Sequence, residues 1–275
     1  MKRRIAACQM LSRPGDDHAA NILKWIAKAG KEKVNAVLFP ECALCSYEKR
    51  SDFLHDLPRE GFGKEEARIA RAAKRCKVAV IVGTAYWEED KLRNGVIAID
   101  SDGTVRGRYS KTHLADSWSI PGSALPIYKL AGMKSCFIIC HDARYPELVR
   151  LPAIRGAQIC WNAVNGSGLL YEYKFSMTRA LPIARAAEND IFVVTANAPA
   201  DPKNIEAKYQ SIGKSLIVNP EGVVLAEAGH FEETLLVADI DTRDARRRWA
   251  LRAINDETIL RDWMREGASM VDDQS

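Results

Sequence analysis

No stretch of this sequence approaches the ~20 uninterrupted apolar residues that a membrane-spanning helix needs. Neither charge dominates: 40 Lys+Arg against 36 Asp+Glu leave a net +4, which gives no case for a nucleic-acid platform. A Gly-rich phosphate loop and an H-E-x-x-H helix are both missing, so neither of those motif-borne chemistries is indicated. Ser167, in Gly166-Ser167-Gly168, lacks the strand–Ser–helix context of a serine nucleophile. Seven cysteines is an odd number without the spacing of a compact disulfide framework, which points to reduced thiols in a cytoplasmic protein. Cys42-Ala43-Leu44-Cys45 matches C-x-x-C, but with no second pair it is a poor signal for zinc or redox use. The basic start Met1-Lys2-Arg3-Arg4 leads into Ile5–Leu11, too short and polar for a signal-peptide core and better read as a first strand.

What is present is an alternation of apolar strands and amphipathic helices. Hydrophobic content of 47% supports a full core. Asp16 or Asp17 is placed to cap a helix to about Lys33, with Ile22, Leu23, Ile26 and Ala29 on one stripe. Strand–helix–strand–helix–strand–strand occurs before residue 100 and again after residue 135, a similarity of pattern without a sequence repeat. Residues 115–126 read as a loop rich in Ser, Pro, Gly and Trp. Asp241 or Thr242 is expected to cap one last arginine-rich helix running to about Arg265. No linker divides the halves, so residues 1–265 read as one α/β domain and 266–275 as a polar tail.

Three positions end apolar strands with reactive side chains: Glu41, Lys111 and Cys140. Ligands and catalytic groups gather at the carboxyl ends of such strands. A thiol, a carboxylate and an ammonium meeting there make a set for acyl transfer: the thiol attacks, the carboxylate moves protons and the ammonium steadies an oxyanion. Singly, each has a plainer reading: a buried small hydrophobe for Cys140, a capping carboxylate for Glu41, a solvated edge lysine for Lys111. Pro146 suits a helix start, whose positive end would favour a Cys140 thiolate. His141 offers a rival Cys–His pair, although adjacent residues of an extended chain face opposite ways. His113 reads as a site-liner, whereas His18, His55 and His230 sit in polar surroundings that suggest surface.

With these residues in place, the chain resembles the nitrilase, or carbon–nitrogen hydrolase, superfamily. Leu38-Phe39-Pro40-Glu41 resembles its glutamate motif, Tyr109-Ser110-Lys111-Thr112-His113-Leu114 its lysine motif, and Ile139-Cys140-His141-Asp142-Ala143-Arg144-Tyr145-Pro146-Glu147 its cysteine motif. Arg179–Asn189 and Gly213–Gly222 resemble further segments. The resemblance implies a four-layer α-β-β-α sandwich, paired back to back as a homodimer or larger assembly, with the basic segment Arg243–Arg265 reaching the partner. It implies catalysis by Glu41, Lys111 and Cys140 through a thioester on a small linear amide or N-carbamoyl compound, with no metal or organic cofactor. A nitrile hydrolase using the same nucleophile is the alternative. One departure stands out: the second glutamate of many members is absent from Asp116-Ser117-Trp118-Ser119-Ile120-Pro121-Gly122, where only Asp116 is acidic. That motivates a further alternative, a non-turnover binding or regulatory protein. His113, Asp116, Trp118, His141, Arg144, Asn162 and Asn165 are the expected pocket residues.

Overall fold

A computed structural model describes the chain except residues 14, 48–56, 58–61, 170 and 204–209. Two sheets face each other, with helices on both outer sides, which is the expected four-layer sandwich.

Strands β1 (Lys2–Gln9), β2 (Ala36–Leu38) and β3 (Ala79–Glu88) run parallel, flanked by β4 (Lys91–Ile99), β5 (Val105–Ser110) and β12 (Thr234–Asp241) in the order β12-β1-β2-β3-β4-β5. The second sheet has a matching parallel core of β7 (Met133–Ile139), β8 (Ile159–Val164) and β9 (Phe192–Asn197). Around it lie β6 (Leu125–Leu130), β10 (Leu216–Val218), β11 (Val224–Glu227) and β13 (Val271–Asp273).

Strand alternation sorts the first sheet's side chains. Ile5, Ala7, Leu38, Ala79 and Ile81 turn inward toward the second sheet, and Ala6, Cys8, Val37, Val80 and Val82 turn outward. Helices α1 (His18–Lys31) and α2 (Gly63–Cys76) cover that outward face with Ile22, Ile26, Ile69 and Ala72. Burying a side chain the size of Ile26 contributes about 1.5–3 kcal/mol. Asp17 is the cap of α1, its carboxylate accepting from the Ala20 N–H at 2.9 Å. Helices α3 (Glu147–Arg155) and α4 (Glu172–Asn189) cover the other sheet.

Three expectations change. The last helix is not continuous: Asp241 caps a short 3-10 turn, then α5 (Arg248–Asn255) and α6 (Arg261–Ser269) follow as separate helices. Asn255-Asp256-Glu257-Thr258 between them is poor helix material, and Asp256 is extended at φ −72°, ψ 140°. Residues 266–275 are not a loose tail, because they finish α6 and form β13 alongside β6 in parallel. Strand β6 itself begins inside the expected loop, at Leu125-Pro126, and its proline sits where β13 rather than β7 is the neighbour.

Candidate active site

The carboxyl ends of β2, β5, β7 and β8 open on one side of the sandwich, and they bring Glu41, Lys111, Cys140 and Asn165 together. Lys111 Nζ donates to Glu41 Oε1 at 2.6 Å, with both side chains wholly buried. Asn94 Nδ2 donates to the same oxygen at 2.8 Å. The other oxygen, Oε2, accepts from the Asn165 N–H at 3.0 Å. The Cys140 thiol faces the Glu41 carboxylate and the same Asn165 N–H closely enough to feel both.

Gly83 lets this happen. The Pro40–Cys42 backbone crosses directly over it, so a Cβ there would overlap the Pro40 carbonyl and stand 2.7 Å from the Cys42 N.

Burial pushes the Cys140 thiol up to about 12, and the Glu41 charge adds to that effect against the pull of Lys111. The resting thiol is therefore protonated, contrary to the expected thiolate at a helix end. The reason is geometric: Cys140 opens a 3-10 turn, Cys140–Arg144, and α3 starts only at Glu147. Burial opposes the charge of Lys111, yet Glu41 outweighs it and holds the ammonium above its ordinary value.

The backbone turns sharply at Cys140, at φ +49°, a left-handed conformation that a non-glycine residue adopts only under constraint. Asp142 supplies that constraint. Its buried carboxylate accepts from Ile139 N at 3.0 Å, Tyr109 Oη at 2.8 Å and His113 N at 2.7 Å, stapling the cysteine turn to the lysine loop. Desolvation pushes the Asp142 carboxyl up, and these three donors oppose the shift. Arg185 on α4 adds a bond from Nε to the Ala143 carbonyl at 3.1 Å.

Cys140 opens on a cleft of about 140 Å³, lined among others by Tyr47, His141, Arg144, Asn165, Lys174 and Met177. Among the described residues, no Asp or Glu lines it. The larger hollow of about 540 Å³ along β1 and β12 lies away from this chemistry. We take the smaller cleft as the site because it holds the strained cysteine.

Of the expected pocket residues, His141, Arg144 and Asn165 line the cleft. His141 shares it with Cys140, but no hydrogen bond joins them; its ring meets Tyr145 edge-on at 5.8 Å. His113 stacks on Tyr145 at 3.4 Å between ring centres and does not line the cleft. Trp118 does not line it either: it is buried against Cys42, Cys45, Ala85 and Leu92. Asn162 is also structural, its Nδ2 donating across to Thr195 Oγ1 at 3.3 Å. His18 and His230, expected on the surface, are half-buried, and His230 Nδ1 bonds the Ile212 carbonyl at 2.8 Å. His55 lies outside the described residues.

Asp116 does reach the site despite its shorter side chain. Its Oδ2 stands 3.7 Å from Lys111 Nζ and accepts from Asn94 Nδ2 at 3.2 Å. Its Oδ1 is held by Ser119, from N at 3.1 Å and Oγ at 2.5 Å. Sequence reasoning missed Asn94, Asp142 and Lys174. Asp142 carried a signal, an acid two residues past the strand-end cysteine, whereas Asn94 is one polar residue within a strand.

The sequence model of the family described as carbon-nitrogen hydrolase matches residues 4–248. The chain is 30% identical over 262 residues to omega-amidase NIT2 of Xenopus tropicalis, covering 87% of this chain and 89% of that protein. It is 31% identical to the Bos taurus omega-amidase NIT2 over 240 residues, covering 79% and 80%. Among solved structures, a cysteine-to-alanine mutant of the Nesterenkonia AN1 amidase of the nitrilase superfamily superposes with a TM-score of 0.81, at 25% identity, covering 95% of this chain and 97% of that one. A carbon-nitrogen hydrolase of Helicobacter pylori, 23% identical, shares the fold at a TM-score of 0.82, covering 94% and 96%. The strand-end Glu41, Lys111 and Cys140 thus sit in a chain that belongs to the carbon-nitrogen hydrolase family.

Proposed function

We propose that this protein is a cysteine-dependent amidase that cleaves a small linear amide, with Cys140 as nucleophile, Glu41 as proton carrier and Lys111 as oxyanion partner. The observation that carries the reading is the fixed Glu41 carboxylate. One oxygen is held by Lys111 at 2.6 Å and Asn94 at 2.8 Å, and the group faces a thiol that burial and the Glu41 charge hold in its protonated form. A neutral thiol needs a base in contact, and Glu41 is that base. Glu41 takes the thiol proton as Sγ bonds to the carbonyl carbon, and the oxyanion is met by the Lys111 ammonium and the His141 backbone N–H. The carboxyl then gives its proton to the nitrogen as the C–N bond breaks, releasing ammonia and leaving a thioester. Water, losing a proton to Glu41, adds to the thioester; the acid departs and Cys140 regains its proton. A relative of the same fold supports the choice of nucleophile: a Nesterenkonia amidase mutant carries the acetamide moiety of fluoroacetamide on its active-site cysteine.

The cleft favours an amide that carries a carboxylate at its far end. Arg144 and Lys174 put two cations on its lining, with no acid beside them among the described residues, and the relatives include omega-amidases. An N-carbamoyl amine, bearing a cation there, would meet repulsion. Asp116, 3.7 Å from Lys111, weakens the case for a non-turnover protein, which rested on a missing second acid. A nitrile remains chemically open to the same nucleophile, and the assay below includes one.

Ammonia release is to be measured across short ω-amides of dicarboxylates, neutral amides, N-carbamoyl amines and nitriles, with Cys140→Ala as control. Release from the anionic amides at rates at least tenfold above the others is expected. No release from any of them, with Cys140 alkylated no faster than Cys76, would remove the reading. The assembly we infer is a homodimer or larger, supported by exposed Trp249, Ile259, Leu260 and Trp263 on and between the C-terminal helices; light scattering tests it. Seven free cysteines support a cytoplasmic location, and no helix among the described residues is long and apolar enough to cross a membrane.

A further inference from the structure

Asn94 sits on β4, opposite Ala85 in the β3–β4 ladder, and is almost fully buried. Its Nδ2 donates to Glu41 Oε1 at 2.8 Å and to Asp116 Oδ2 at 3.2 Å. Its Oδ1 faces the Cys42 thiol at 3.9 Å, and the two carboxylates, which only accept, mark the other end of the amide as nitrogen. A carboxamide has two N–H donors, so both are committed to carboxylates here. Lys111 meets Asp116 only at 3.7 Å, beyond hydrogen-bond length. The hydrogen-bonded link between the two acids is therefore Asn94, not the lysine.

We propose that Asn94, anchored on Asp116, is a positioning residue for the Glu41 base. A glutamate carboxylate turns easily about its last torsion, whose preference is broad and two-fold. One donor on Oε1 fixes a distance, whereas Lys111 and Asn94 together fix the plane. That plane keeps Oε2 on the Asn165 N–H and the carboxylate against the Cys140 thiol. Asp116 cannot swing to serve as a second base, because Ser119 holds Oδ1 through two bonds. Being one methylene shorter than a glutamate, Asp116 reaches Glu41 through the carboxamide between them.

The inference rests on Glu41 acting as the base, so its test has two readouts. Asn94→Leu keeps the branched outline of the side chain, with added bulk, and removes both donors. Losing a hydrogen bond to a charged group weakens that group's placement by roughly 10–100-fold in rate, so kcat is expected to fall by that factor with KM changed less than threefold. Iodoacetamide labelling of Cys140, followed by intact mass, should slow by about tenfold in the same variant. A merely structural role would instead lower the melting temperature and leave the labelling rate of folded protein unchanged. Asp116→Asn, which keeps an acceptor but removes the anchor's charge, should lower kcat about threefold to tenfold; it decides the matter if Asn94→Leu does not fold. Unchanged kcat and labelling in the folded variants overturn the inference while leaving the amidase reading intact. Slowed labelling in Asn94→Leu, beside a wild type that releases no ammonia, does the reverse.

Discussion

The two sheets share a three-stranded parallel core, yet they load its open end in opposite ways. The first sheet supplies Glu41, Lys111 and Asn94, all buried and joined by hydrogen bonds at the Glu41 carboxylate. The second supplies Cys140, which is half-buried, faces the cleft and is held at φ +49°. Glu41 is therefore placed mainly by side-chain hydrogen bonds, and Cys140 by a left-handed backbone turn that Asp142 holds. A buried ion pair needs a surround that cannot relax, because desolvation makes it costly whenever a partner is lost. A nucleophile has to be reached from outside, so its geometry is set by backbone constraint instead.

The contrast breaks most completely at Cys140. Cys140→Ala should cut amide turnover on the order of 10⁴-fold or more while the protein melts near the wild-type temperature, as measured by ammonia release and calorimetry. The opposite pattern is expected in the first sheet. Lys111→Ala leaves Glu41 and Asp116 buried without their cation, and should cost about 3–5 kcal/mol of stability, read by urea denaturation. If Lys111→Ala loses activity but no stability, Glu41 is not placed by its buried ion pair and the comparison fails. Gly83→Ala, which drives a methyl into the Pro40–Cys42 backbone, should cost about 1–3 kcal/mol and also lower kcat by displacing Glu41.

The smallest effect concerns pH. The native Cys140 thiol keeps its proton to about 12, whereas the unfolded thiol releases it near 9.0. Above the unfolded value the unfolded chain binds fewer protons, so stability drains away as pH rises from about 9 toward 12. The melting temperature of wild type should fall faster than that of Cys140→Ala across this window, by about 1–2 °C per pH unit once partial exposure is allowed for. Equal slopes would mean the thiol is not held in its neutral form.

How much of this was readable depended on how local the cause was. Glu41, Lys111 and Cys140 each close an apolar strand, and that break in pattern is visible along the chain. The α1 cap at Asp17 and the stripe of Ile22 and Ile26 are equally local. Asn94 was not readable, because its meaning comes from the β3–β4 register and from two acids 53 and 22 residues away. Trp118 was read as a pocket residue on composition, but the loop folds it inward onto Cys42 and Cys45. The last helix was read as continuous from its arginines, though charge says nothing about where a helix is interrupted. Nor was the role of Asp116 readable: it stands 3.7 Å from Lys111, beyond hydrogen-bond length, and Asn94 spans the gap between it and Glu41.

Strand β13 has a practical consequence. Val271–Asp273 lies along β6 and occupies hydrogen-bonding positions that would otherwise face solvent as an open sheet margin. A preparation trimmed at residue 269 would keep every group around Cys140 but present β6 as a template for other chains. Such material is expected to precipitate with time and concentration rather than lose its chemistry, so solubility, not turnover, would be the first property to suffer.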